Sequence, residues 1–170
     1  VKDNSLSYLH ITRSEIDLPD NVDVYSREVY QKAKENLDFL IAKATLIIDE
    51  MPHFYLYRLI MNGRAQTGIA ATFSVDDYDN DVILKHEKTR KVKEDDRTNH
   101  IITTNAQTGV VFLTYRGVET INELVEKTSS TVQPEYDFTA PDGIQHTIWI
   151  LPSEYDQMII SEFQKINKLY

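Results

Sequence analysis

The stretch F-Y-L-Y-R-L-I-M-N-G, residues 54 to 63, decides the fold. Apart from Arg58, its first eight residues are aromatic or aliphatic, a composition typical of a strand with both faces covered. Asn62-Gly63 is a strong hairpin signal, because a two-residue type I′ turn needs positive φ at both central positions. The segment from Gln66 to Val75 is the predicted return strand. We therefore expect an antiparallel pair in the middle of a sheet, with a carboxylate or water partner for Arg58, of which the structural ion pair is favoured.

A second hairpin and several amphipathic helices surround this pair. Asp142-Gly143 lies between two further strand candidates, 136–139 and 144–151, and short strands are also predicted over 6–12 and 110–115. Helical spacing of apolar residues begins at Ser26, where we expect a helix packed on the sheet, and recurs over 91–105, over 118–127 and after Ser153. The predicted class is α+β: a mixed, largely antiparallel sheet with two hairpins, packed against about three to four helices.

Composition limits the classes of function. The 170 residues suit a single domain over 1–170, and the absence of Cys excludes thiolate catalysis and Cys-based metal sites while being compatible with a reducing cytoplasm, where we place the protein. A net charge of −9 argues against a nucleic-acid partner, and no apolar run has membrane-spanning length. Because the chain starts at Val1 and stops at Tyr170 after a helical pattern, we expect a fragment excised from a longer protein.

One cationic segment interrupts this acidic chain. Residues 85–97 read K-H-E-K-T-R-K-V-K-E-D-D-R and hold six of the 18 Lys and Arg beside four acids. Such a run can be a solvated loop leading into a helix. Alternatively it is a site, in which Glu87 and His86 handle protons and Thr89, Lys93, Asp96 and Arg97 bind an anionic ligand. The sequence alone leaves both interpretations open.

Familiar catalytic motifs are missing from the chain. It contains no G-x-x-x-x-G-K-[ST] loop, G-x-G-x-x-G fingerprint, G-x-S-x-G elbow or H-E-x-x-H zinc helix, and no metal ligands are predicted. Phosphoryl transfer needs chiefly positioning, charge neutralisation and a base near the attacking hydroxyl. The charged segment could supply these, with Glu87 as the base and Lys93 and Arg97 neutralising phosphate.

The chain resembles a widespread prokaryotic family, domain of unknown function one thousand and fifteen, over nearly its whole length. The most specific marks are His86-Glu87-Lys88-Thr89 and Lys93-Glu94-Asp95-Asp96-Arg97. Further marks are Leu9-His10-Ile11, Glu15-Ile16-Asp17-Leu18-Pro19, Tyr30-x-x-Ala33, Tyr55-x-Tyr57, Gln66-Thr67-Gly68 and His146-Thr147-Ile148-Trp149.

The resemblance also implies an expectation about activity. Full-length relatives carry, after the position of Tyr170, a turn similar to the phosphate-binding turn of the ParB and sulfiredoxin-like superfamily, which includes free serine kinases. This implies an ATP-dependent small-molecule kinase that phosphorylates a hydroxylated metabolite such as serine, with ATP or ADP and Mg as cofactors. On this view the isolated fragment is inactive. The alternatives are a nucleotide- or anion-binding regulatory module without catalysis, or a structural interaction domain.

Overall fold

The computed structural model describes residues 4–43, 46–85 and 88–170, and the chain forms two compact units. Unit 1 comprises Val1–Asp49 and Glu87–Phe112, and unit 2 comprises Glu50–His86 and Leu113–Tyr170. Each unit is therefore assembled from two separate stretches of chain. The prediction of one domain over the whole chain stays a prediction, since a domain can contain two compact units.

The regular elements follow one another in a simple order. The helices are α1 (Leu9–Thr12), α2 (Arg27–Ala42), α3 (Val75–Asp79), α4 (Lys91–Thr104), α5 (Glu119–Thr131) and α6 (Asp156–Gln164). The strands are β1 (Tyr55–Met61), β2 (Arg64–Ala70), β3 (Tyr136–Thr139) and β4 (Gln145–Ile150), and short 3-10 turns lie at Ser14–Asp17 and Ser153–Tyr155.

Unit 2 is built on a four-stranded antiparallel sheet in the order β2-β1-β4-β3. Asn62 and Gly63 both have positive φ, 52° and 76°, as the predicted two-residue turn requires. In the second hairpin Gly143 has φ 83°, and its amide donates to the Ala140 carbonyl at 2.9 Å. These observations confirm the α+β class and both predicted hairpins.

One face of this sheet is covered by α5 and α6. Leu56 of β1 and Trp149 of β4 are opposite each other in the register and are buried together with Ile121, Leu124 and Ile159 of the two helices. The Trp149 indole donates to the Val132 carbonyl at 3.0 Å, so the polar atom of this core side chain is satisfied.

Arg58 does not have the carboxylate partner that the sequence led us to expect. Its guanidinium lies over the Trp149 ring, 4.6 Å from the centroid, and within the described part of the chain it makes no ion pair. Its Nε is buried without a hydrogen-bond partner among those residues. The stacking on an aromatic face replaces the predicted salt bridge.

Unit 1 is helical, and two strand-based expectations for it are wrong. Residues 9–12 form α1 instead of a strand; short apolar runs do not separate these alternatives by periodicity. The apolar stripe of α2 packs on α1, the first 3-10 turn and α4, where we predicted a sheet.

The His10 ring contacts the Asp17 carboxylate at 2.8 Å, and Asn36 of α2 donates to that carboxylate and to the His10 carbonyl.

The predicted buried strand over 110–115 is also absent. Its residues lie outside any helix or strand, and Val110 and Phe112 are 94% and 70% exposed. Further on, in unit 2, Thr114 and Tyr170 exchange two backbone hydrogen bonds of 2.7 and 2.8 Å. The apolar residues favour a strand locally, but residues 110–112 have no strand partner in the described structure, so the pattern alone was misleading.

Candidate functional site

The cationic segment becomes the beginning of α4. Arg90, the N-cap residue, is extended and its side chain makes no capping hydrogen bond, and the helix starts at Lys91. Thr89 is exposed and precedes the N-cap by one residue. The first amides of a helix have no acceptor within the helix, and the aligned peptide dipoles make this end positive. An uncapped N-terminus flanked by cations is suited to an anion.

Two contacts fix this end of α4 beside the beginning of α2. The Lys93 ammonium lies 5.1 Å from the centroid of the Tyr25 ring, just before the α2 N-cap. One turn further along both helices, the buried Tyr30 hydroxyl donates to Asp96 at 3.1 Å. The contacts follow the same order along both segments, so α2 and α4 run in the same direction here.

The far end of α4 agrees with this parallel arrangement. Ala106, just beyond the helix, packs against the cluster of Ile11, Leu37 and Leu40, the last two of which belong to the second half of α2. The buried His100 ring places Nε2 3.0 Å from the Ile11 carbonyl. The positive ends of two helices therefore lie at the same end of unit 1.

The surroundings of the Tyr30–Asp96 hydrogen bond keep Tyr30 protonated, so that its hydroxyl is the donor. Burial raises the pKa of Tyr30 above its ordinary value, the Asp96 carboxylate raises it further, and a hydrogen bond with Asn99 lowers it. Tyr30 therefore stays protonated at neutral pH and acts as a donor. Because Asp96 accepts this bond, its carboxylate serves to hold α4 on α2.

Lys93 and Arg97 are two cations of α4 that this arrangement leaves available, and the exposed Lys88 and Arg90 before the helix likewise have no carboxylate partner among the described residues. Lys93 and Arg97 are four residues apart and so lie on one side of the helix, and both are exposed. Lys91 is paired with Asp95 at 2.6 Å, whereas neither Lys93 nor Arg97 forms a salt bridge to any carboxylate in the described ranges. Lys93 lies in the first turn of α4 and Arg97 in the second, so both charges can attract an anion near the start of the helix.

The predicted site residues are only partly located by the structure. Thr89, Lys93, Asp96 and Arg97 are collected on the start of α4 and the residue pair before it. His86 and Glu87 lie outside the described residues, so convergence of all six on one cleft stays a prediction.

Sequence reasoning missed Tyr25 and Tyr30, the two aromatic residues against which the charged segment rests. The signal for Tyr30 was available, since it lies in the apolar stripe of α2 and a buried phenol needs a hydrogen-bond partner. The local sequence around Tyr30 could not identify its partner as Asp96, because Asp96 lies 66 residues later in the chain.

Unit 1 also contains a cavity whose lining is mainly acidic. A cavity of about 280 Å³ is lined by Asp17, Leu18, Glu28, Gln31, Lys32 and Glu35. Three carboxylates and one ammonium disfavour phosphate there. In the described ranges there is no cluster of three or more His, Asp or Glu that could hold a metal ion, and no helix has the length and apolarity to cross a membrane.

Comparison with known protein families identifies the family to which the chain belongs. The model of a family described as "Protein of unknown function (DUF1015)" matches residues 1–170. The chain belongs to the DUF1015 family. Neither the curated proteins nor the solved structures contain a significant match. This match confirms the predicted membership in DUF1015, and it assigns no reaction.

Proposed function

We propose that this DUF1015 chain supplies the phosphate-binding part of a nucleotide-dependent kinase that acts on a small hydroxylated metabolite such as serine. The observation that carries the proposal is the pair Lys93 and Arg97, in the first and second turns of α4, exposed and free of carboxylate partners in the described structure. The similarity to ParB and sulfiredoxin-like proteins belongs to the same proposal.

Each residue has a stated role in this reaction. Lys93 and Arg97 neutralise the phosphate oxygens, and the backbone amides at the start of α4 together with Thr89 bind the same group. Asp96 positions the helix through Tyr30. Glu87 accepts the proton of the attacking hydroxyl, and His86 orients the substrate.

In the proposed reaction, Mg²⁺ binds to the protein together with the nucleotide. Mg²⁺ in such sites is usually held by the phosphates, water and one or two carboxylates, so a dedicated cluster of protein ligands is not required. When bound, it would neutralise charge that develops on the phosphate oxygens. The residues of the α4 start fit a nucleotide phosphate by charge and by their free amides.

Binding is tested by isothermal titration of the full-length protein with ATP, ADP and CTP. Arg97→Ala should weaken nucleotide binding about 10-fold or more, since a charge-assisted contact contributes about 1.5 to 3 kcal/mol. Arg116→Ala removes an exposed arginine of unit 2 and serves as the matched control. For Lys93→Ala, the control is Lys91→Ala, because Lys91 is paired with Asp95. Equal losses in test and control variants would contradict the assigned site.

Turnover is tested by a phosphate-transfer screen on amino acids with the same protein. Glu87→Gln should preserve nucleotide affinity within a few-fold and lower turnover about 10²-fold or more, as expected for the loss of a positioned base. Unchanged turnover would remove Glu87 from the mechanism. Nucleotide binding without any phosphate transfer would favour a regulatory module, the second function that an anion site at α4 permits.

A further inference from the structure

The second face of the unit 2 sheet is not used by the proposed function. Leu56 and Trp149 face the covering helices, so the alternate residues of each strand lie on the opposite face. We call this opposite surface the open face. Its positions are Tyr55, Tyr57, Leu59, Met61, Arg64, Gln66, Gly68, Ala70, Tyr136, Phe138, His146, Ile148 and Ile150.

The open face exposes large aromatic and apolar side chains to solvent. Phe138 is 53% exposed, Tyr136 50% and Met61 55%, whereas Trp149 on the covered face is 1% exposed. Half-exposed aromatic residues grouped on neighbouring strands differ from isolated surface residues and mark a binding surface.

Three of these rings form one ordered group. The Tyr57 hydroxyl lies 2.7 Å from His146 Nδ1, and the two ring planes are within 19° of parallel. A centroid separation of 6.1 Å with so short a hydrogen bond places the rings edge to edge, in nearly one plane. Phe138 is offset-stacked on His146 at 5.1 Å and 12°. The group is therefore held in place before any ligand arrives.

Open space lies next to Tyr57 on the neighbouring strand. Gly68 of β2 is its register partner, and no atom lies within 4 Å of the position that a Cβ would occupy there. A larger residue at this position would fill the space beside the ring. A flat group can instead lie over the Gly68 backbone and contact the ring.

The charge of the open face differs from that of the chain as a whole. None of its 13 strand positions is Asp or Glu, although the chain has 27 acids against 18 Lys and Arg. Arg64 is exposed and supplies a cation, and His146 Nε2 has no hydrogen-bond partner in the described part of the chain. The surface thus offers aromatic rings, an imidazole nitrogen that can take part in a hydrogen bond and one positive charge, without a carboxylate to repel phosphate.

We infer that the open face binds the base of a free nucleotide. The base packs on the Tyr57 ring over Gly68, His146 Nε2 hydrogen-bonds its edge, and Arg64 attracts the phosphate, while Phe138 stacks on His146 and holds that ring in place. A single arginine in an acidic chain suits a mononucleotide better than an extended single strand, whose binding depends on many phosphate contacts. The inference goes beyond the proposed function, because it concerns base recognition in unit 2 and does not require the α4 site.

The test uses the full-length protein, with adenosine and AMP as probes and nuclear magnetic resonance as the readout. Adenosine should shift the signals of His146 and the Met61 methyl group saturably, and AMP should bind more tightly. Arg64→Ala should abolish the difference between the two probes. Arg97→Ala should leave adenosine binding unchanged, so failure of this inference and failure of the α4 site are distinguishable.

Two further variants examine the surface itself. Tyr57→Ala and Gly68→Val should each weaken adenosine binding about 5- to 150-fold, the range for loss of one base–aromatic stack. Valine is compatible with a strand and with the space at Gly68, so this variant should fold. Ala65→Val adds the same side chain to β2 on the other face and should leave binding unchanged.

Three results would overturn the inference. They are the absence of saturable shifts with adenosine, equal effects of Gly68→Val and Ala65→Val, and binding of a single-stranded oligonucleotide much tighter than AMP. The last result would replace the mononucleotide with RNA or single-stranded DNA as the occupant.

Discussion

Replacing Tyr30 by phenylalanine should loosen α4 from α2. The change removes only the hydroxyl that donates to Asp96 at 3.1 Å, and it leaves the buried ring in place. A hydrogen bond to a charged group contributes about 1.5 to 3 kcal/mol, and partial exposure of Asp96 reduces this. We expect the free energy of unfolding of unit 1 to fall by about 1 to 2 kcal/mol.

The measurement is urea unfolding followed by far-ultraviolet circular dichroism. Fluorescence of Trp149, the one tryptophan in the sequence, reports on unit 2 and serves as an internal control. Tyr25→Phe is the matched control, because it removes an exposed phenol from the same unit and should change stability by less than about 0.5 kcal/mol. A double-mutant cycle with Asp96→Ala should give a coupling of about 1 kcal/mol. Strict additivity, or equal effects of the two tyrosine substitutions, would refute the role given to this hydrogen bond.

Three further outcomes follow from the same structure. Trp149→Ala should cost about 3 to 5 kcal/mol in a urea titration of unit 2, since it empties the centre of the sheet core, and a loss under 1 kcal/mol would show that the core is misplaced. Gly63→Ala should cost about 1 kcal/mol because φ is 76° there; an unchanged melting temperature would argue against the turn. Burial raises the pKa of Tyr8, Tyr30 and Tyr115 above the ordinary value of 10.0, so the stability that these groups contribute is present below pH 10.0 and is lost as the pH rises through their raised pKa values. In an ultraviolet titration of phenolate, replacing any of the three by phenylalanine should remove a late-ionising group, and removal of a group that ionises at or below pH 10.0 would contradict this.

The sheet of unit 2 was predictable because its signals are local. Asn62-Gly63 and Asp142-Gly143 each specify a turn within a few residues, and the flanking apolar runs need only pair with their neighbours in sequence.

The predictions that were wrong or incomplete concern contacts between residues that are far apart in the sequence. The stripe of α2 indicated a buried face but not what buries it, and α4 comes from a stretch about 60 residues later in the chain. For the site, the sequence predicted the cluster of Thr89, Lys93, Asp96 and Arg97 at a helix start. It could not show that Asp96 is already engaged by Tyr30.

The division of unit 1 into two chain segments affects how the protein is made on the ribosome. Residues Val1–Asp49 emerge before Glu87–Phe112, so the helix that completes their packing is translated only after Glu50–His86. During that interval the nascent chain carries α2 without α4, with Tyr30 lacking its acceptor and the cluster around Leu37 lacking Ala106. Nascent chains with such exposed apolar surface are prone to aggregation and are typical clients of chaperones. We therefore expect slow translation or chaperone capture between residues 50 and 112 to control the yield of folded protein.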